Sequence, residues 1–404
     1  MPNRDGHSQD QKNTAQDPNP AQVGMIVLFG SGETSPTGRK VFEEVFHYLP
    51  HTPSLALLET PAGFELNSQH VISRVGDFFN LRLQNHAPRV EIIPARKRGT
   101  PLSPDEPGIV APLLQADLIF MGPGSPSYAI RQLRDSLAWY YLIARHRLGA
   151  VLALASAATV AFSAYALPVY EIYKVGEELH WIEGLDFFKL YGMDLVFIPH
   201  WNNREGGAEL DTSRCFMGQE RFMRLMEMLP EDKTIIGLDE KTALIMDPSK
   251  GECQVMGLGH VTLIHTGHLH STNLVHTSTT NADKVTGTDE DLAIIAEQRS
   301  GHVHRYHSGQ VFPMSEIGHF HPYYPEASLP PGIWQKALEA SFRSTQNQLI
   351  TPPLDVQHLA DERNQARQTG NWVRSDDLRK QIYDLGWDIV DTKAGPLIKP
   401  RSQA

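Results

Sequence analysis

Ser156 is the one hydroxyl between the apolar run Val151-Leu-Ala-Leu-Ala155 and the alanine-rich stretch Ala157-Ala-Thr-Val-Ala161. A buried strand running straight into a helix lifts such a hydroxyl to the strand's C-terminal end, as in a nucleophile elbow, and small neighbours let the two backbones nearly touch. A plain helix N-cap has the same spacing, and Leu154 is bulkier than the glycine usual two residues before the nucleophile. His200 follows a second apolar run, Phe197-Ile-Pro199. If both runs are strands of one parallel sheet, serine and histidine share its carboxyl edge, where ligands collect. A hydroxyl bonded to an imidazole there is an acyl-transfer nucleophile. For the acid that would orient the imidazole, the intervening segment offers Glu171, Glu177, Glu178 and Asp186, and spacing alone does not choose among them.

Other groups could serve the same chemistry. Gly122-Pro-Gly124-Ser125 follows an apolar run and precedes a helical pattern, so its backbone N–H groups, with that of Ala157, could hold an oxyanion. Pro123 has no N–H to give. Gly30-Ser-Gly-Glu33 is a second loop of this kind and is not a dinucleotide fingerprint. Arg214, Arg221 and Arg224 could pair a substrate carboxylate, with a solvated helix face as the plainer reading. Cys215 has Arg214 beside it but neither a preceding strand nor an elbow, which argues against a catalytic thiol. His260, His265, His268, His270, His302, His304, His307, His319 and His321 crowd one region. No acidic or cysteine ligand is interleaved at a metal-site spacing, so a histidine-rich surface is expected and no metal.

The elements that must position these groups follow from periodicity. Short apolar runs at Met25–Phe29, Leu55–Leu58, Val90–Pro94, Leu118–Met121, Val151–Ala155 and Leu195–Pro199 alternate with helical stripes over Arg39–Tyr48, Val71–Leu83, Tyr128–Arg147 and Gln219–Leu229. That alternation predicts α/β: a mostly parallel doubly wound sheet. Four further runs, Ile235–Leu238, Ala243–Met246, Gln254–Met256 and Val261–Ile264, are too closely spaced for helices and predict an antiparallel meander at its edge or back. The expected organisation is a disordered lead (1–23), the α/β domain (24–268), a flexible polar insertion (269–300), a His- and Pro-rich connector (301–354) and a small C-terminal helical hairpin (355–398). In the hairpin, Asn371 is an N-cap and Gly386 the stop before Trp387–Val390.

Composition narrows the partners. With 41% hydrophobic and 21% charged residues the chain can build a substantial core, and no run reaches the roughly 18 apolar residues of a membrane span. Two cysteines make no disulfide framework, which fits a reducing cytoplasmic setting. A net charge of −11 argues against a general nucleic-acid or anionic-membrane partner. A small peptide or amide substrate is expected instead, with no cofactor and with self-association left open.

Taken in order, several elements resemble one family. They are Gly122-Pro-Gly-Ser-Pro-Ser-Tyr-Ala-Ile-Arg-Gln-Leu-Arg134, Ser156-Ala-Ala, Pro199-His200-Trp-Asn-Asn203, the helix with Gln219-Glu-Arg221-Phe-Met-Arg224, and Ile236-Gly-Leu-Asp-Glu240-Lys-Thr-Ala-Leu244. Together they resemble the serine peptidase family of cyanophycinase and aspartyl dipeptidase, which has a class I glutamine amidotransferase-like fold. The resemblance covers about Met25 to Gly267 and implies Ser156 as nucleophile and His200 as general base. It implies Gly124 and Ala157 as oxyanion donors, and Gly122, Ser125, Asn202 and Arg221 in substrate binding. Glu171 stands at about the family's acid spacing, with Glu178 kept as an alternative. The implied function is a serine hydrolase cleaving a peptide or amide bond through an acyl-enzyme on Ser156. A catalytically silent scaffold of the same fold is the alternative, since the usual Gly-Gly-Gly and Ser-Ala-Gly-Ala have become Gly122-Pro-Gly124 and Ser156-Ala-Ala-Thr159. The tail from Arg363 to Gly395 resembles the C-terminal hairpin of cysteinyl-tRNA synthetases. None of their catalytic signatures is present, so aminoacylation is not expected. A docking or packing role is preferred to RNA contact, the second alternative, because eight acidic residues balance eight basic ones from Asp355 onward.

Overall fold

The computed structural model describes residues 23–50, 52–266, 303–321, 329–349, 352–392 and 395–400. The expected insertion at 269–300 and all of the lead but Val23 lie outside these residues. The chain forms two compact units, Met1–Ala337 and Leu338–Ala404.

The first unit is built on strands β1 (Ile26–Phe29), β2 (Ser54–Leu58), β3 (Arg89–Ile93), β4 (Leu118–Met121) and β5 (Val151–Ala155). These five pair in parallel in the order β1-β5-β4-β2-β3. Every residue of β1, β4 and β5 is buried, as strands covered on both faces must be. Helices Pro36–Phe46 and Ser68–Arg82 cover one face. Their Phe42, Phe46, Phe78 and Phe79 meet Phe29 and Phe120 in one aromatic cluster. The mixed α/β architecture with a large, mostly parallel central sheet is the one expected. The helix foreseen over Tyr128–Arg147 is two helices, Pro126–Leu133 and Leu137–Arg147. The break falls at Asp135, which has φ 55°, and Ser136, whose hydroxyl caps the second helix by accepting from Trp139 N–H.

The single-sheet expectation needs correction. After the short pair β6 (Tyr165–Ala166) and β7 (Ile182–Glu183), strand β8 (Leu195–Ile198) joins a separate four-stranded sheet with β9 (Lys233–Leu238), β12 (His260–Thr266) and β13 (Val303–His307). The reason is that the free edge of β1 is taken by β10 (Thr242–Asp247) running antiparallel, which carries β11 (Glu252–Gly257) and β14 (Val311–Pro313) beyond it. Strand β8 therefore pairs in parallel with β9. The meander is thus shared between two sheets.

The second unit holds helices Leu354–Gln368 and Trp372–Asp384 and the hairpin β15 (Trp387–Thr392) with β16 (Gly395–Pro400). Its own core comprises Val356, Ala360, Ile382 and Ile389. Asn371 accepts from Arg374 N–H as the foreseen N-cap, and Gly386 has φ 85°. Arg363 is buried and donates to both oxygens of Asp391 at 2.9 Å, a bidentate clasp between helix and strand.

Candidate active site

Ser156 has φ 52° and ψ −113° and makes no side-chain cap hydrogen bond. A non-glycine residue at such a φ is held by its surroundings. Ala155, Ala157, Ala158 and Ala161 are all buried here, so strand and helix pass each other closely, and buried Leu154 does not prevent the turn. Of the two readings open for this serine, the geometry is that of an elbow.

His200 also has positive φ, 52°, just beyond β8. Its N–H donates to Gly30 O at 3.1 Å, so the two sheets meet at this residue. The next residue is the anchor. Trp201 is buried flat on β9, where a Cβ on Gly237 would lie 2.4 Å from the indole, and the Arg214 guanidinium lies over the ring, 4.0 Å from its centroid. So held, His200 Nε2 stands 3.0 Å from Ser156 Oγ although the two residues come from different sheets.

The carboxylate that meets the His200 imidazole is that of Glu240, not Glu171. His200 Nδ1 lies 3.1 Å from Glu240 Oε1, which also accepts from Asn203 Nδ2 at 2.9 Å. The Glu240 N–H in turn donates to Asn202 Oδ1 at 2.8 Å. The hydrogen bond from His200 comes first among the causes that hold the Glu240 carboxyl below the ordinary carboxylate range, against its partial burial. With Nδ1–H donated to this carboxylate, the Nε2 lone pair faces the serine. Glu171 is taken elsewhere, since its Oε1 accepts from Ser127 Oγ, and Oε2 is buried with no hydrogen-bond partner among the described residues. Glu178, the alternative, is an exposed residue whose carbonyl lies beside His180 Nδ1 at 2.9 Å. The signal for Glu240 was its place two residues after strand β9, as His200 stands two residues after β8; a search between serine and histidine could not reach it.

The remaining expected residues separate into groups. Gly124, at φ 145°, lies so close to the preceding loop that a Cβ would be 2.0 Å from Pro61 O, and Ser125 N–H donates to that same carbonyl. Ala157 N–H is the first of its helix and has no acceptor within it. Gly122 backs onto the Phe120 ring. The Ser125 hydroxyl is used as a cap, accepting from Tyr128 N–H at 3.2 Å. Arg221 donates to Met217 O and Phe216 O, and buried Arg214 donates to Trp201 O at 3.1 Å. Desolvation lowers the Arg214 pKa to about 10. Burial pushes the Cys215 thiol up to about 12, which removes it as a nucleophile.

Arg221 holds an unusual piece of backbone. Arg214, Cys215 and Phe216 are successive non-glycine residues at φ 55°, 58° and 67°, each roughly 1–2 kcal/mol above the right-handed alternative. Cys215 N–H donates to His200 O at 3.3 Å and Arg214 N–H to Trp201 O at 2.9 Å, so this turn braces the histidine. Glu33 completes the surroundings: burial raises its carboxyl, opposed by its own backbone N–H and by the charge of His200.

Histidine rings of the strands β12 and β13 pair with each other, while His268, His270 and His302 lie outside the described residues. His260 packs on His307 with centroids 4.4 Å apart, and its Nδ1 lies 3.0 Å from Asp239 Oδ2. Among the described residues no group of three or more His, Cys, Asp or Glu could hold a metal ion, and no helix is long and apolar enough to cross a membrane.

No family model matches the chain. Among solved structures it is similar to a peptidase from an acI-B1 Actinobacterium, at TM-score 0.49 and 22% identity over 61% of this chain and 92% of that one. It is also similar to a putative peptidase E protein from Listeria monocytogenes EGD-e, at TM-score 0.40 and 16% identity over 58% and 99%. Among curated proteins, 48 residues are 44% identical to a cysteine–tRNA ligase of Chlamydia pneumoniae, and 52 residues are 40% identical to that of Methanosarcina mazei. These stretches are 12% and 13% of this chain, which spans only about a tenth of the ligases' length.

Proposed function

We propose that the chain is a serine hydrolase that cleaves a peptide or related amide bond through an acyl-enzyme on Ser156. The observation that carries this is the unbroken line from Ser156 Oγ to His200 Nε2 at 3.0 Å and from His200 Nδ1 to Glu240 at 3.1 Å. In the first half-reaction Oγ attacks the acyl carbon while Nε2 takes its proton. The charge formed on the substrate oxygen is met by the N–H groups of Ala157 and Gly124. The C–N bond then breaks, and His200 returns the proton to the departing amine. Water repeats the sequence against the ester, His200 again taking and returning a proton, and releases the acid. Glu240 keeps the imidazole in one tautomer and offsets its transient positive charge. Pro123 removes one N–H from the loop without touching those of Gly124 and Ala157.

The test is covalent. A fluorophosphonate should label the wild-type chain at one site and leave Ser156→Ala unlabelled. Labelling that survives this substitution, or that never occurs, favours the silent scaffold.

A further inference from the structure

The left-handed turn at Arg214–Phe216 has a result at the site: it sets the Phe216 ring 5.8 Å from the His200 imidazole and 5.3 Å from Tyr173. A bulky residue at positive φ persists only where its neighbours force it, and such outliers gather at functional sites. Here the forcing contacts are Arg221 on the carbonyls of Phe216 and Met217, and the N–H groups of Arg214 and Cys215 on those of Trp201 and His200. Tyr173 belongs to the π-helical turn Glu171–Val175, which reaches across to the helix that follows the glycine loop through the bond from Ser127 to Glu171. On the loop's side a second ring pair stands, Phe64 against Tyr128, with centroids 5.2 Å apart. Phe64 and Tyr170 are 46% and 38% exposed. Aromatic surface therefore borders the triad at Phe216, with Tyr173 packed on that ring.

The charges around it are equally selective. Several guanidinium groups on these elements are engaged: Arg221 and Arg214 on carbonyls, Arg96 on Glu59 at 2.8 Å, and Arg131 over the Tyr128 ring. The Lys174 ammonium lies over Tyr173, 5.3 Å from its centroid. The Glu171 carboxylate lies against the first turn of the helix that follows the glycine loop, so an anionic side chain would meet like charge there.

Building on the acyl-enzyme reading, we propose that the substrate residue donating the acyl group carries an aromatic or large apolar side chain, which stacks on Phe216 and Tyr173 beside His200. Phe216 and Tyr173 are then specificity-determining residues.

Three peptidyl diphenyl phosphonates that differ only in side chain (phenylalanine, aspartate or lysine type) test this on the full chain. In each, Ser156 Oγ bonds to phosphorus as phenoxide leaves and the proton passes to His200, so the rate constant for inactivation reads side-chain recognition directly. The phenylalanine analogue should react at least about tenfold faster than the other two, the scale on which apolar pockets discriminate. Phe216→Ala should bring that ratio toward one, and Phe216→Leu should keep most of it. Equal rates, or a faster aspartate or lysine analogue on the wild-type chain, overturn the proposal. If a side-chain-free fluorophosphonate still labels Ser156 in that case, the hydrolase reading stands without it. If no phosphonate reacts at all, both fall.

Discussion

At the scale of single residues, the account depends on which carboxylate meets His200. Replacing Glu240 by Gln should lower kcat/KM by roughly a hundredfold or more, because the imidazole loses its fixed tautomer and its counter-charge. Glu171→Gln should cost far less, since that carboxylate bonds Ser127 and does not touch the imidazole. The same pair predicts a pH effect. The folded Glu240 carboxyl titrates below its ordinary value of 4.5, so the unfolded chain takes up its proton first as acid is added. The stability this contributes is complete above about pH 4.5 and is lost as pH falls through the lower folded value. In thermal unfolding from pH 7 to pH 3, the difference between wild type and Glu240→Gln should shrink at the acid end; a constant difference would contradict the pairing. Ser156 and His200 were legible because each ends an apolar run. Glu240 comes two residues after one, but it lies beyond the histidine, and no spacing rule links a carboxylate to an imidazole 40 residues upstream. Arg221 misled for a different reason: a guanidinium on a helix face reads as available, and only the fold reveals two carbonyls beneath it.

At the scale of elements, two close approaches carry the site. Gly237→Ala would drive a methyl group into the Trp201 indole. It should destabilise by roughly 1–3 kcal/mol, as overpacking of a filled core does, and should slow acylation, because Trp201 adjoins His200. Denaturant unfolding and labelling rate measure the two effects; a variant as stable as wild type would show that the indole is not pinned. Gly124→Ala combines a clash on Pro61 O with a φ of 145°, and should lose more in labelling than it loses in stability. The strands were legible as buried apolar runs. Their division into two sheets was not, because pairing is decided by which strand takes the open edge of β1, and both β8 and β10 are fully buried runs of similar length. The helix break at Asp135-Ser136 carried a readable signal, an N-cap serine three residues before Trp139 N–H, but the apolar stripe continues across it.

At the scale of the whole chain, Leu338–Ala404 has its own core and should unfold as a separate unit. Asp391→Asn strips the bidentate partner from buried Arg363 and should destabilise that unit by about 1–3 kcal/mol, leaving labelling at Ser156 unchanged. A matching loss of labelling would tie the two units energetically. The hairpin's elements were readable from its caps, while the pairing of β15 with β16 was not, because the short run before Pro400 has little alternation to announce a strand. The net charge of −11 applies to the whole molecule and says little about the site, where individual carboxylates and rings decide what can approach. The most direct measurement is to quench the full-length chain during turnover of an activated ester, digest it and find the acyl group by mass spectrometry. Ser156 should carry it in wild type, accumulate less of it in Glu240→Gln and carry none in His200→Ala. An acyl group on any other residue, or a chain that hydrolyses the ester without ever becoming acylated, would contradict the account.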